Sequence, residues 1–253
     1  GKDALVLLGN IATRHAAYSA LRALAACIAE LTGAKLGNLS EGSNAAGAHL
    51  AGVLPHRSQA GQPRGKAGLN AAAMLDADLD ALVLLNLEPD ADLLAVEDAV
   101  GKLGRQKFVV ALSPFDSNAL RASADLLLPI GTFAETSGTY VNVAGTWQSF
   151  AGVASPVGEA RPAWKVLRVI GNLLNAAGFD YVSSEEVRDE LAAQIGAIRP
   201  DNALLDDTVH AAPNGADAAA DIEVPLYSVD GLVRRATALQ LTPAAKRAAG
   251  DCA

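Results

Sequence analysis

The stretch ETSGTYVNVAGTW, residues 135 to 147, gathers Glu, Thr, Ser, Tyr and Asn between glycines, the composition of many binding and catalytic loops. Glu135 is its one acid, and no second carboxylate lies at a spacing that paired acid–base catalysis would use. The chain has no G-x-S-x-G elbow, and its Ser, His and Asp residues form no recognisable nucleophilic set. Of the chain's eleven aromatics, seven (Phe108, Phe115, Phe133, Tyr140, Trp147, Phe150 and Trp164) fall between 108 and 164, so a packing hub is expected there. In that reading Glu135, Thr136, Ser137, Thr139 and Asn142 bond to loop backbone, while Gly138 and Gly145 supply turns. Architecture is favoured over chemistry.

Two further sets could bind a ligand. Gly9 and Asn10 close the first apolar run, Asn86 and Glu88 close its later counterpart, and Ser113 and Pro114 close a third. If these runs are parallel strands, all three turns lie at the carboxyl edge, where free backbone N–H groups can hold a phosphate. Neither G-x-G-x-x-G nor a GK[ST] loop occurs, so a plain strand-to-helix turn competes with a nucleotide site. In the long loop after residue 40, Gly42, Gly47 and Gly52 space out Asn44 and His49, and His56, Arg57, Arg64 and Lys66 follow. Its histidines lack a third ligand or carboxylate nearby, which disfavours a metal. A solvated loop or partner contact is favoured over a phosphate cradle, with Arg57, Arg64 and Lys66, and Arg234 and Arg235 near the end, as candidate contacts.

These residues need elements to position them. ALVLLGN (4 to 10) reads as a strand, followed by a helix from about Thr13 to Leu31 with Tyr18, Leu21, Ala25 and Ile28 on one face and Gly33 as its stop. AKLGNLS, DALVLLNLEP, FVVALSPF and ADLLLPI supply four more strands, alternating with helices near 68 to 75, 91 to 103 and 116 to 122. Such alternation predicts an α/β fold, a doubly wound and mostly parallel five-stranded sheet, Rossmann- or flavodoxin-like, in order 2-1-3-4-5. A hairpin is expected around Ala144-Gly145, a helix from Pro162 to about Ala177 burying Trp164, Leu167, Ile170 and Leu174, and a helix over 184 to 195 opened by Ser183 and Glu186. The organisation expected is a domain over 1-197, a linker over 198-222 and a docking tail over 223-253.

Composition narrows the classes. At 51% hydrophobic residues, 253 residues can bury a substantial core. A net charge of −8 argues against nucleic acid, and no apolar run reaches membrane-spanning length. With no basic-then-apolar opening, a cytoplasmic site is expected. Only Cys27 and Cys252 occur, too few for a four-cysteine cluster, and Cys27 reads as a buried small hydrophobe. A chain opening at Gly1 with Met74 as its single methionine is expected to be a piece of a longer protein.

Several phrases also resemble a known superfamily. Ala124-Asp125, Leu128-Pro129, Glu135, Gly138-Thr139 and Asn142 match the AD-x-x-LP strand and E-x-x-GT-x-x-N pattern of molybdopterin oxidoreductases. GAHLAGVLP, GLNAAAML, ARPAWKVLRV and YSVDGLVRRA resemble, in order, the C-terminal part of the large iron–sulfur subunit of bacterial NADH:quinone oxidoreductases, respiratory complex I. The resemblance implies a scaffold among the peripheral-arm subunits, at the cytoplasmic face of the inner membrane without insertion, serving electron transport from NADH to quinone. It implies no cofactor within this chain, iron–sulfur clusters being expected in an N-terminal part of the parent, so that the fragment alone is not catalytic. Glu135, Gly138, Thr139 and Asn142 would then be structural, and Gly9, Asn10, Asn86 and Glu88 vestigial. Read instead as part of a molybdopterin-dependent enzyme, the same four strand-edge residues would hold the nucleotide portion of the cofactor. Ala144 and Thr146 depart from the usual acid and arginine of the N-x-E-G-R continuation, which removes a charge-based contact at that turn.

Overall fold

A computed structural model describes residues 3–15, 17–40, 42–93, 96–201 and 226–248. In chain order the elements begin with β1 (Leu5–Leu8), α1 (Asn10–Thr13), α2 (Tyr18–Thr32), β2 (Lys35–Asn38), α3 (Ala45–Leu50) and α4 (Ala71–Asp76). Then come β3 (Leu82–Leu85), α5 (Pro89–Asp92), α6 (Ala99–Gly104), β4 (Val109–Ser113), α7 (Asn118–Ser123) and β5 (Leu126–Pro129). The hairpin strands β6 (Gly138–Val141) and β7 (Trp147–Phe150) precede α8 (Ala163–Leu173) and α9 (Ser184–Ile195), and the tail holds α10 (Gly231–Arg235), α11 (Thr237–Gln240) and α12 (Pro243–Ala248). Five parallel strands confirm the α/β class. They lie in two hydrogen-bonded sheets, β1-β2 and β3-β4-β5, rather than in one ladder of five, and three of the four expected neighbour relations are present.

The chain forms two compact units. One comprises 1–47, 141–146 and 198–253, the other 48–140 and 147–197. In the first, β1 and β2 pair from Leu5 opposite Lys35 to Leu8 opposite Asn38, and α2 packs on them. The expected long helix starts late because the Ala17 N–H donates to His15 Nδ1, a local acceptor that competes with the helical ladder. Its end matches expectation, with Gly33 left-handed at φ +71°. Ala25 and Ala29 form its buried stripe, so Ile28 is exposed, and so is Cys27, which sits two positions and about 200° round the helix from Ala25. That corrects the reading of Cys27 as buried. Most of the expected linker, 202–222, lies outside the described residues, as do 223–225 and 249–253 of the tail.

The second unit holds the aliphatic core. Leu75, Leu84, Leu103, Val109, Ala111 and Leu120 interlock between one face of β3-β4-β5 and helices α4, α6 and α7, and Leu103 and Leu120 are wholly buried. Asn70 caps α4 by accepting the Ala73 N–H, and Ser117 caps α7 by accepting that of Leu120. The helix expected over 91 to 103 is two, α5 and α6. Beyond β5 the chain returns to itself: Ile130 bridges Arg161 in parallel, and the Gly131 N–H donates to the Arg161 carbonyl. The loop between is closed at its base. The expected helix from Pro162 ends by Leu173, and Asn175 is left-handed at φ 55°. Leu174 is therefore exposed rather than buried, while Gly171 is the buried residue, lying flush under the Phe179 ring. Ser183 caps α9 by accepting the Glu186 N–H, and Glu186 reaches back to the Val182 N–H.

Candidate functional site

The motif loop is built from hydrogen bonds to its own chain. Thr132 and Glu135 form a capping box around the turn Phe133–Glu135, with Glu135 Oε2 accepting from the Thr132 N–H at 2.7 Å and from its hydroxyl at 3.0 Å. The Thr132 backbone N–H, then its hydroxyl, hold the Glu135 carboxyl below the usual glutamate range. That direction is opposite to what a general acid at neutral pH needs. Thr139 and Ser149 share a hydroxyl bond at 2.9 Å across the hairpin, and Arg188 of α9 donates to Ser149. Ser137 and Ser184 link hydroxyls at 2.7 Å, a second tie between hairpin and α9.

Gly138 is not a turn residue. It lies in β6, where an added Cβ would stand 3.0 Å from Phe150 Cζ, so its role is close approach to a ring that itself packs edge-on against Tyr140. Gly145 does supply the turn, at φ +79°. Asn142 Oδ1 accepts from the Ala144 and Thr146 N–H groups at 3.0 Å each, closing an Asx-type tip. Asn44, noted in the sequence only as part of the glycine-spaced loop, has a structural role that the sequence did not assign it. Its Oδ1 accepts the Val141 N–H at 2.8 Å across 97 positions, and Gly47 leaves room for the folded-back amide. No spacing rule marks such a contact, although an Asn between glycines was a signal of unusual backbone.

The seven aromatics between 108 and 164 do not form a buried hub: none of the rings is fully buried, Phe133 is 65% exposed, and the core is aliphatic.

The strand-edge residues divide between the units. Gly9 and Asn10 lie in the first, at the turn from β1 into the single-turn α1, and among the described residues nothing stands within 4 Å of an added Cβ at Gly9. At the end of neighbouring β2, Asn38 Oδ1 is buried without a partner among the described residues. Asn86 and Glu88 lie in the second unit: Asn86 is left-handed at φ 52°, and Glu88 is buried, its N–H donating to Asp92 Oδ2 at 2.8 Å. Ser113 Oγ is committed to Phe115, both accepting its N–H and donating to its carbonyl.

Of the basic candidates, Arg64 braces its own loop, donating to the Arg57 and Gly52 carbonyls. Arg234 and Arg235 likewise donate to the Ser228 and Gly231 carbonyls within the tail. No group of three His, Cys, Asp or Glu residues that could hold a metal occurs among the described residues, and no helix among them is long and apolar enough to cross a membrane.

The family model for molybdopterin oxidoreductases matches residues 1–173, well over half of the chain. The chain belongs to the molybdopterin oxidoreductase family. Among similar proteins, the mitochondrial NADH-ubiquinone oxidoreductase 78 kDa subunit of Candida albicans is 43% identical over 53 residues, 21% of this chain and 7% of that protein. The NADPH-Fe(3+) oxidoreductase subunit alpha of Geobacter sulfurreducens is 30% identical over 117 residues, 46% of this chain and 14% of that protein. A Staphylococcus aureus protein with a provisional formate dehydrogenase name is 37% identical over 71 residues, 27% of this chain and 7% of that protein. The chain thus spans only a small part of the length of these relatives.

For a molybdopterin-family cofactor with its phosphates, the donor set at the β3 edge has the wrong sign. Glu88, Asp90 and Asp92 place three carboxylates within five residues, and α5 is a single turn with little dipole to offset them. The residues at this edge do not fit the group.

Proposed function

We propose that this chain is a scaffold domain of the large iron–sulfur subunit of an NADH:quinone oxidoreductase of the complex I type. In this reading it supports electron transfer from NADH to quinone without holding a redox centre, and it binds other peripheral-arm subunits at the cytoplasmic face of the membrane. The observation that carries the reading is the internal commitment of the family motif. Glu135 serves Thr132, Thr139 serves Ser149, and Asn142 closes its own turn, so the polar groups that mark the family build the loop. The similarity to the Candida albicans subunit supports placing this chain in a multi-subunit assembly. In this reading any iron–sulfur clusters belong to other parts of the parent, since two cysteines are too few for a four-cysteine cluster.

One observation favours a second reading, a nucleotide-portion site of a molybdopterin-dependent enzyme. Among the described residues, the space beside Gly9 is open and the buried Asn38 Oδ1 has no partner, and both lie at the ends of the same strand pair. Calorimetric titration of the chain with nucleotides, joined to molybdenum and pterin assay of the parent, separates the two. The scaffold reading expects no saturable heat and no molybdenum; stoichiometric molybdenum would overturn it.

A further inference from the structure

The segment 42 to 75 holds Arg57, Arg64 and Lys66 and no Asp or Glu, so the rest of a chain of net charge −8 carries −11. This basic stretch is also built to hold a shape. Arg57 and Pro63 form an antiparallel bridge, the Ser58 N–H donates to the Gln62 carbonyl, the Arg64 N–H to that of His56, and the Gly68 N–H to that of Pro55. Gly52, at φ +77°, brings its main chain against Ser58 so closely that an added Cβ would lie 2.5 Å from the Ser58 carbonyl carbon. The Arg64 guanidinium then pins the base from above, through Gly52 and Arg57. Every residue from Gly61 to Asn70 is exposed, and Lys66 has no ion-pair partner among the described residues. Among the described residues the Arg57 side chain has only a long 3.4 Å bond, to the Gly61 carbonyl.

We infer that residues 52 to 68 form a preorganised basic finger that docks an acidic segment of a partner protein, with Arg57 and Lys66 supplying charge and Arg64 acting as a positioning residue. The inference rests on the reading of the chain as one component of an assembly. A finger already locked into shape loses little conformational entropy on binding, which favours a specific contact. Three charges favour a short acidic peptide over nucleic acid, because a long polyanion would meet the net −11 of the remaining residues.

Fluorescence anisotropy of a labelled oligoglutamate peptide with the full 253-residue chain tests this. Saturable binding is expected that weakens as salt rises, that falls about tenfold or more in the R57E/K66E double variant, and that persists in R57K/K66R. Arg64→Met is expected to lose affinity together with amide-exchange protection at Ser58 and Gly68, whereas a pure charge contact would leave that protection intact. Unchanged binding in R57E/K66E, absence of saturable binding, or equal affinity for a labelled oligonucleotide would each overturn the inference. Because the probe is generic, these outcomes judge the finger alone, while molybdenum and pterin assay judges the family reading.

Discussion

The tetrapeptide LVLL occurs twice, as β1 at 5 to 8 and as β3 at 82 to 85, and the two copies bury opposite faces. In β3 the third residue, Leu84, is 6% exposed and packs against Leu103 and Leu120, while Val83 and Leu85 stand about half exposed. In β1 the equivalent Leu7 is 52% exposed, and Val6 and Leu8 are the more covered pair. A strand apolar at every position carries no information about which face is inside, because its period of two is absent. What decides is the neighbour. β3 lies beside β4 with α4, α6 and α7 over one face, whereas the partner of β1 contributes Gly37, above which the Leu7 side chain already lies, 2.5 Å from where a Cβ would be.

The comparison breaks if the two leucines prove energetically alike. Leu84→Ala is expected to cost about 2–5 kcal/mol, the range for truncating a packed core leucine. Leu7→Ala is expected to cost no more than about 1 kcal/mol, since half its surface is already in water. Urea unfolding followed by amide protection in β4 and β2 separately would report both. Equal losses in the two strands would show that β1 is as deeply packed as β3.

The same contrast explains what could be read from the chain in advance. Strand and helix types followed from alternation of apolar runs and caps, and Asn70, Ser117, Ser183 and Gly33 terminate or open helices by local bonds that a single sequence displays. Helix extents were less legible where a side chain intervened, as His15 does before α2. The faces were the least legible: Cys27 and Ile28 were placed on the wrong side, since the apolar residues of that helix outnumber the positions one stripe can bury, and Leu174 is exposed because it lies past the helix end. At the motif loop, the self-bonding of Glu135 and Asn142 was legible because it is short-range. Asn44, bonding across 97 positions, was not.

That difference in range sharpens into a graded test on the hairpin. Removing the long-range acceptor in Asn44→Ala leaves the partly buried Val141 N–H without its bond, at a cost of about 1–3 kcal/mol. Asn142→Ala removes two bonds from an exposed tip where water can replace them, and about 1 kcal/mol or less is expected. Thermal unfolding of the two variants gives the order. A larger loss at Asn142 would mean that the tip, rather than its anchor, holds the hairpin.

The smallest expected effect bears most directly on chemistry. Glu135 accepts two bonds from Thr132 in its charged form, so its folded pKa lies below its unfolded one. The stability it contributes is therefore fully present above the unfolded glutamate value and is lost as pH falls through the lower, folded value. In Glu135→Gln that portion of the acid-unfolding profile should disappear, while stability near neutrality falls only slightly because the group is partly exposed. Carboxyl NMR titration of the wild-type chain should find Glu135 ionising below the ordinary glutamate range. A carboxyl titrating above that range would instead be one that can hold a proton near neutral pH, and the loop would then have to be reconsidered as a source of acid catalysis rather than as the closed turn its hydrogen bonds describe.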